Sequence, residues 1–338
     1  MIYHSLCEKY NTKIVIIFCY LIKNYEKDEM KKGAELITGV EAIMHTPFKD
    51  NYDLDLDGAK KIVRHIIEGG IVQGTGCILI GGAVGEACHM NPAERKELAK
   101  ACCEVSENKT PMIFNCAHTD VRIVIDLAKC ACDNGATAIQ LAPPYYMPLS
   151  DKEIIDFYKF VSDEIPIGIM AYANYWASQV YFDNIWDELI EIENIISIKW
   201  AHPDMTEFVK ALVNYSGSLS FMDNMGTAGP WPFMIGMNGI VSQIGVWAPK
   251  IALKQWQLIT NKDWAETEKF YSKYILPYMQ WSWNLSGGLG LHGEGICLKA
   301  SSELLGLPAG PCRMPHQHKI SDENMKELKS LFQNWNIL

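Results

Sequence analysis

Eight short apolar runs, each separated from the next by room for a helix, constrain the fold of this chain more than any other feature of its sequence. They are Val40 to His45, Cys77 to Ile80, Pro111 to Asn115, Ala136 to Leu141, Pro166 to Tyr172, Ile195 to Lys199, Ser218 to Met222 and Gly239 to Ser242. Runs that are apolar on both faces read as strands of a parallel sheet covered by helices. The intervening segments carry helix patterns. Leu56 to Gly69 places Ala59, Ile62, Val63, Ile66 and Ile67 on one stripe. Asn91-Pro92-Ala93-Glu94 combines an N-cap, a proline at the first helical position and a capping-box glutamate, and Ser150-Asp151-Lys152-Glu153 repeats the device. Eight such βα units close most simply into a (β/α)8 TIM barrel, with a doubly wound open sheet as the alternative.

A barrel of this kind takes about 250 residues, and the chain has 338. The surplus is assigned to two ends. Residues 37–260 form the barrel, and residues 261–338 form a C-terminal helical extension patterned at Trp264 to Trp283, Ile296 to Leu305 and Asp322 to Trp335. Residues 1–36 are read as an N-terminal extension that need not be native, because Met30-Lys31-Lys32 offers a natural start just before the patterned region.

A net charge of −10 repels phosphate backbones and argues against nucleic acid as a partner. Ile14 to Ile22, the only continuous apolar run, is too short to cross a bilayer, and no small-residue cleavage site follows it, so no membrane role is expected. The 11 cysteines are odd in number and sit singly, or as Cys102-Cys103 and Cys130-x-Cys132, in apolar helical patterns. They read as reduced core thiols of a cytoplasmic protein. No paired CxxC and no HExxH occurs, so no metal is expected.

Reactive side chains of such barrels project from the C-terminal ends of strands and the loops beyond them. Lys199 ends the otherwise apolar run Ile-Ile-Ser-Ile-Lys, which places its amine in the barrel mouth. Burial disfavours an ammonium, and a neutral amine is what Schiff-base formation with a carbonyl needs. The alternative is a lysine snorkelling to solvent at a strand end. Tyr172, one strand away, carries a phenol that can donate and accept a proton beside an imine carbon, or it is a core tyrosine. The turn Gly81 to Gly85 can present backbone N–H groups to a carboxylate, or it is only a tight turn.

These residues, taken in order, resemble the dihydrodipicolinate synthase/N-acetylneuraminate lyase family of class I, Schiff-base-forming pyruvate aldolases. The matching pieces are Thr46-Pro47-Phe48, Gly82-Ala83-Val84-Gly85-Glu86 at a GTTGE-like loop, Pro144-Tyr145-Tyr146, Tyr172 at a YN motif, Ile198-Lys199 at an IK motif, and Gly239-Ile240-Val241-Ser242 at a GVIS-like strand. The resemblance implies that Lys199 forms the imine and that Tyr172 moves protons at the substrate carbonyl and the aldol hydroxyl. By the same resemblance Ala83, Val84, Tyr146 and Val241 contact the substrate, the backbone of Ala83 and Val84 holding the 2-oxo acid carboxylate, with Gly82 beside them. It implies no cofactor beyond the covalent lysine imine, a 2-oxo acid and an aldehyde as small-molecule partners, and a homo-oligomer, dimer or tetramer.

The departures matter as much. The two threonines of the loop are Ala83 and Val84 here, which removes a hydroxyl relay between Tyr172 and Tyr146. The arginine that follows the YN motif in the synthases falls near Ala177, so a dicarboxylate product would lose its clamp. Tyr172-Ala173-Asn174 and Ala309-Gly310-Pro311-Cys312-Arg313 look closer to the hydratase-aldolase branch, which acts on pyruvate and aromatic aldehydes. His45, His118, His202 and Gln243 are candidates to replace the relay, Asp223-Asn224 is ambiguous, and Tyr175, Trp176, Trp200 and Trp247 are expected around an aromatic acceptor pocket. The expected function is a lyase or aldolase that joins or splits a 2-oxo acid and an aldehyde, or dehydrates a 2-oxo acid. A dihydrodipicolinate-synthase-like condensing enzyme is the alternative within the family, and a non-catalytic barrel that binds a small acid is the alternative of another class.

Overall fold

Strand β1 (Gly39–Ile43) pairs with both β2 (Gly76–Ile80) and β8 (Gly239–Ser242), and that double pairing closes the sheet. Between them run β3 (Met112–Asn115), β4 (Ala138–Leu141), β5 (Gly168–Tyr172), β6 (Ile195–Trp200) and β7 (Ser220–Asp223), every neighbour parallel and in chain order. The computed structural model describes residues 35, 37–173, 175, 180–226, 229–285, 294–317 and 319–338. Apart from Glu35, the expected extension over residues 1–36 lies outside the described residues.

Helices α1 (Leu56–Glu68), α2 (Pro92–Ser106), α3 (Val121–Asp133) and α4 (Asp151–Glu164) follow β1 to β4. Both expected capping boxes are present: Asn91 accepts from the Glu94 amide at 3.0 Å while Glu94 accepts from the Asn91 amide at 2.9 Å, and Ser150 and Glu153 reciprocate in the same way. The next connections are leaner. Only α5 (Trp186–Leu189) follows β5, α6 (Met205–Tyr215) follows β6, and the β7–β8 link holds one 3₁₀ turn, Trp231–Ile235. Pro230 and Pro232 remove two backbone donors at the start of that turn, and Gly236, at φ 115°, ends it. The apolar runs that begin with Pro111 and Pro166 become strands only from Met112 and Gly168, since proline cannot donate to a ladder.

After β8, α7 (Ile244–Trp247) and α8 (Pro249–Thr260) complete the ring. Beyond them come α9 (Trp264–Phe270), a π-helical turn Tyr271–Ile275, α10 (Leu276–Leu285), α11 (Glu294–Leu304) and α12 (Asp322–Asn334). These C-terminal helices are anchored through Trp247, whose buried ring stacks on Phe332 at 4.7 Å and meets Tyr278 at 5.1 Å. The indoles of Trp281 and Trp335 each donate to a backbone carbonyl, of Asn324 and Lys273, which ties α10, α12 and the π turn together. All the described cysteines are free thiols. No helix among the described residues is long and apolar enough to cross a membrane.

Candidate active site

Side chains alternate along a strand, so Ser197 and Lys199 of β6 face the barrel interior while Ile198 and Trp200 face the helices. The Lys199 amine is buried in the barrel and lies 2.8 Å from Oε1 of Glu41, on β1. Glu41 is wholly buried, and its Oε2 has no hydrogen-bond partner among the described residues. The lysine is therefore not an isolated amine, as its sequence context suggested; a carboxylate offsets the cost of burying the ammonium. Glu41 is the site residue that the sequence reading missed. Its signal was a lone acidic residue inside the apolar run Val-Glu-Ala-Ile.

Tyr172 ends β5 in register with Lys199, and the amine stands 5.5 Å from the centre of its ring. Burial pushes the phenol well above its usual range, opposed by a 3.4 Å hydrogen bond that Asn224 Nδ2 donates to its oxygen. The phenol thus keeps its proton. Two further carboxyls lie toward this end of the barrel, of which Asp223, in register with the outward-facing Trp200, does not face Lys199. Glu294, at the start of α11, is pushed up to about 7 by burial, against the pull of the Lys199 charge. Asp223, at the end of β7, is pushed up to about 7 by burial although it accepts from the Met225 amide at 2.9 Å.

The turn after β2 is fixed from three sides. Thr46 Oγ1 donates to the Gly85 carbonyl at 2.6 Å, and Asn115 Nδ2 donates to the Gly81 carbonyl at 2.8 Å. Arg95 in turn holds the Asn115 carbonyl at 2.6 Å. Gly81 has φ 65°, the left-handed region, and a Cβ on Gly85 would lie 2.9 Å from both Gly81 Cα and the Met44 carbonyl oxygen. Within the turn, the Gly85 and Glu86 amides bond to the carbonyls of Gly82 and Ala83. Those bonds leave the amides of Ala83 and Val84 out of the turn's own pairing. Glu86, at the end of the turn, meets Lys299 of α11 at 2.6 Å and accepts from the Arg313 amide at 2.8 Å. Gly295 brings α11 onto the same turn, its Cβ position lying 3.5 Å from the Val84 carbonyl oxygen.

Of the other residues named from the sequence, Gly82 and Val84 are buried and Ala83 is exposed at the turn. Val241 is half-buried on β8, in register with Glu41. Tyr146 is 83% exposed, so the structure does not bring it to Lys199 or Tyr172. His45 is buried, with Nε2 2.9 Å from the Pro308 carbonyl; burial lowers it to about 4, so it is a neutral imidazole donating to that carbonyl. His118 accepts from the Asp120 amide through Nδ1 at the head of α3, a capping contact. His202 bonds within its own loop and meets Asp183 at 3.1 Å. Gln243 accepts from the Tyr278 hydroxyl at 3.4 Å.

Two of the aromatics expected around an acceptor pocket, Trp200 and Trp247, are used elsewhere. Trp200 alternates with Lys199 and so points outward, where it is fully buried, donates to the Phe208 carbonyl and stacks over the Phe208 and His202 rings. Trp247 is spent on anchoring the C-terminal helices. Tyr175 stacks on Tyr181 at 6.5 Å, and Trp176 and Ala177 lie outside the described residues.

A closed (β/α)8 barrel with an interior lysine at the end of β6, a phenol beside it and a fixed glycine turn above β2 is the frame of a class I, lysine-dependent aldolase. The model of the Dihydrodipicolinate synthetase family matches residues 36–334, and the chain belongs to that family. It is an enzyme of the class I aldolase type.

The 4-hydroxy-tetrahydrodipicolinate synthase of Methanothrix thermoacetophila is 24% identical over 88% of this chain and 96% of its own length. That of Thermotoga petrophila is 23% identical over 90% of this chain and all of its own. Among solved structures, YagE, a prophage protein of the dihydrodipicolinic acid synthase family from E. coli K12, in complex with pyruvate, aligns with a TM-score of 0.79 at 19% identity, covering 90% of this chain and 100% of its own. Dihydrodipicolinate synthase from Thermotoga maritima gives 0.79 at 21% identity with the same coverages.

Proposed function

We propose that Lys199 forms a Schiff base with pyruvate or another 2-oxo acid, and that the enzyme uses it to cleave or form a C–C bond to an aldehyde, or to dehydrate the 2-oxo acid. The reading is carried by one observation: the Lys199 amine is buried in the barrel, 5.5 Å from the Tyr172 ring centre. The amine adds to the ketone carbon. The Tyr172 phenol donates to the leaving hydroxyl as the carbinolamine loses water, giving an iminium that draws electrons from the neighbouring carbons. In the cleaving direction the oxygen of Tyr172 takes the proton of the C4 hydroxyl as the C3–C4 bond breaks, leaving an enamine and an aldehyde. The Ala83 and Val84 amides, outside the turn's own bonds, are suited to the 2-oxo acid carboxylate.

The curated relatives are named for a synthase, yet the loop that carries two threonines in that resemblance holds Ala83 and Val84 here, and the arginine that would clamp a dicarboxylate falls near Ala177 in the sequence. These departures favour an aldehyde other than an amino-aldehyde that yields a dicarboxylate. A homo-oligomer, measurable by sedimentation, is part of the same proposal.

Incubation with pyruvate and borohydride followed by peptide mapping tests the reading. A reduced adduct on Lys199 is expected. An adduct elsewhere, or stabilisation by pyruvate with no adduct and no turnover, overturns it in favour of a binding-only barrel. A panel of aldehydes offered to the pyruvate enamine then identifies the acceptor.

A further inference from the structure

The carboxylate of Glu41 has no place in the steps above, and it touches the reacting nitrogen. It sits on β1, reaches across the barrel interior to Lys199 on β6, and is wholly buried. Stability is a weak reason for such a pair, because replacing a buried ion pair with apolar side chains is often neutral or stabilising. Only one carboxylate oxygen is engaged; Oε2 has no partner among the described residues and remains available to a donor that moves.

We propose that Glu41 is the counter-ion of the Lys199 imine, holding the nitrogen protonated so that it works as an electron sink. The inference rests on the Schiff-base reading and adds a residue to it.

Proton accounting supports this role. The ammonium nitrogen carries three protons and the iminium one: one goes to solvent as the amine is freed to attack, one passes to the ketone oxygen in the carbinolamine, and the Tyr172 phenol supplies the last proton of the departing water, leaving the phenolate that later takes the C4 hydroxyl proton. The positive charge on nitrogen is therefore the same before and after condensation, and the carboxylate that faced the ammonium faces the iminium without itself gaining a proton. An iminium buried without that partner loses its proton readily, because burial disfavours the charged form. A neutral imine withdraws electrons far less well, so C–C cleavage slows even though the covalent intermediate forms.

Three other titratable groups face this pair. Cys77 of β2 is in register with Glu41, and its thiol is raised by burial and by the Glu41 charge. Tyr172 of β5 is held neutral. Glu294 of α11 feels the Lys199 charge and is pushed up to about 7, so it is largely uncharged in slightly acid solution and becomes a second anion as pH rises. An E294Q background separates that contribution.

Cyanoborohydride reduces protonated imines in preference to neutral ones, so the rate at which it traps the pyruvate adduct reads imine protonation against pH. For the wild-type enzyme, trapping is expected to hold up to about pH 9, an opposite charge at this distance raising the imine by about 1–3 pH units. For E41Q the adduct still forms in acid, but the alkaline fall begins about 1–3 pH units earlier, a 10- to 1000-fold loss of trapping at fixed alkaline pH. The shift persists in E41Q/E294Q measured against E294Q. E41D, which keeps the charge on a shorter stem, recovers part of it.

An E41Q limb that superimposes on wild type overturns the counter-ion. So does a wild-type limb that already falls between about pH 7 and pH 8, a measurement that needs no variant to fold. Absence of any adduct in the wild-type enzyme overturns the Schiff-base reading and the counter-ion with it, an outcome distinct from a normal wild-type adduct with an unshifted variant.

Discussion

Lys199 and Tyr172 are register partners on adjacent strands, and the lysine amine lies 5.5 Å from the centre of the Tyr172 ring and 2.8 Å from the Glu41 carboxylate. Three strands of one closed sheet therefore fix the three groups by backbone pairing. A loop could not hold them as rigidly.

Replacing Tyr172 with Phe keeps the ring and removes the proton donor. Turnover with the best 2-oxo acid and aldehyde pair is expected to fall by about 10²–10⁴-fold, the usual worth of a positioned acid or base. Thermal stability should change little, since the Asn224 hydrogen bond lost at 3.4 Å is a long one. A Tyr172→Phe enzyme that turns over within a few-fold of wild type would remove the phenol from the mechanism.

The barrel was legible because its signal is repeated: the apolar runs and both capping boxes each specify a local element, and only closure satisfies all eight strands. Lys199 and Tyr172 were legible for a related reason, since each ends an apolar run at the face where barrels do chemistry. What sequence could not supply was direction and partner. Lys199 and Trp200 are neighbours in sequence, yet the pleat sends one into the site and the other under α6. Glu41 is 158 positions from Lys199, and Glu294 arrives from a helix beyond the barrel; neither pairing leaves a local pattern. His45 looked suited to titrate near neutrality, but burial lowers it to about 4 and turns it into a neutral donor.

The turn after β2 should respond to changes that never touch a substrate. Thr46→Val removes the bond to the Gly85 carbonyl, and Gly85→Ala inserts a methyl 2.9 Å from the Met44 carbonyl oxygen and the Gly81 Cα. Both are expected to raise KM for the 2-oxo acid more than they lower kcat, with Gly85→Ala the more severe because backbone must move. Steady-state kinetics with the 2-oxo acid as the varied substrate decides it; an unchanged KM in both variants would dissociate this turn from carboxylate binding.

Lys299 and Glu86 form a buried pair that joins α11 to the turn, and Lys299 also donates to the Pro311 carbonyl at 2.8 Å. Lys299→Met leaves the Glu86 carboxylate buried and short of a partner, which costs about 3–5 kcal/mol when one member of a buried pair is removed. Lys299→Met with Glu86→Gln should recover much of that loss, since no uncompensated charge remains. Urea unfolding of the two variants measures the difference. Equal stabilities would mean that the pair is solvated rather than buried.

The buried Asp223, the half-buried Glu294 and the buried imidazole of His45 give stability a dependence on pH whose sign differs between them. Asp223 and Glu294 are each pushed up to about 7, from ordinary values of 3.8 and 4.5. Over that interval the folded chain holds protons the unfolded chain has lost, so their contribution to stability falls as pH rises from about 4 through about 7. His45, lowered from 6.5 to about 4, works in the opposite sense: the unfolded histidine binds a proton the folded one refuses, and stability is lost as pH falls through the same range. Asp223→Asn isolates one contribution, because an amide oxygen can still accept from the Met225 amide but never ionises. Its stability relative to wild type is expected to improve by about 2–4 kcal/mol between about pH 5 and pH 8, as the wild-type carboxyl is forced to ionise in a buried position. Unfolding midpoints of the two proteins across that range test it, and parallel profiles would show that Asp223 ionises without cost.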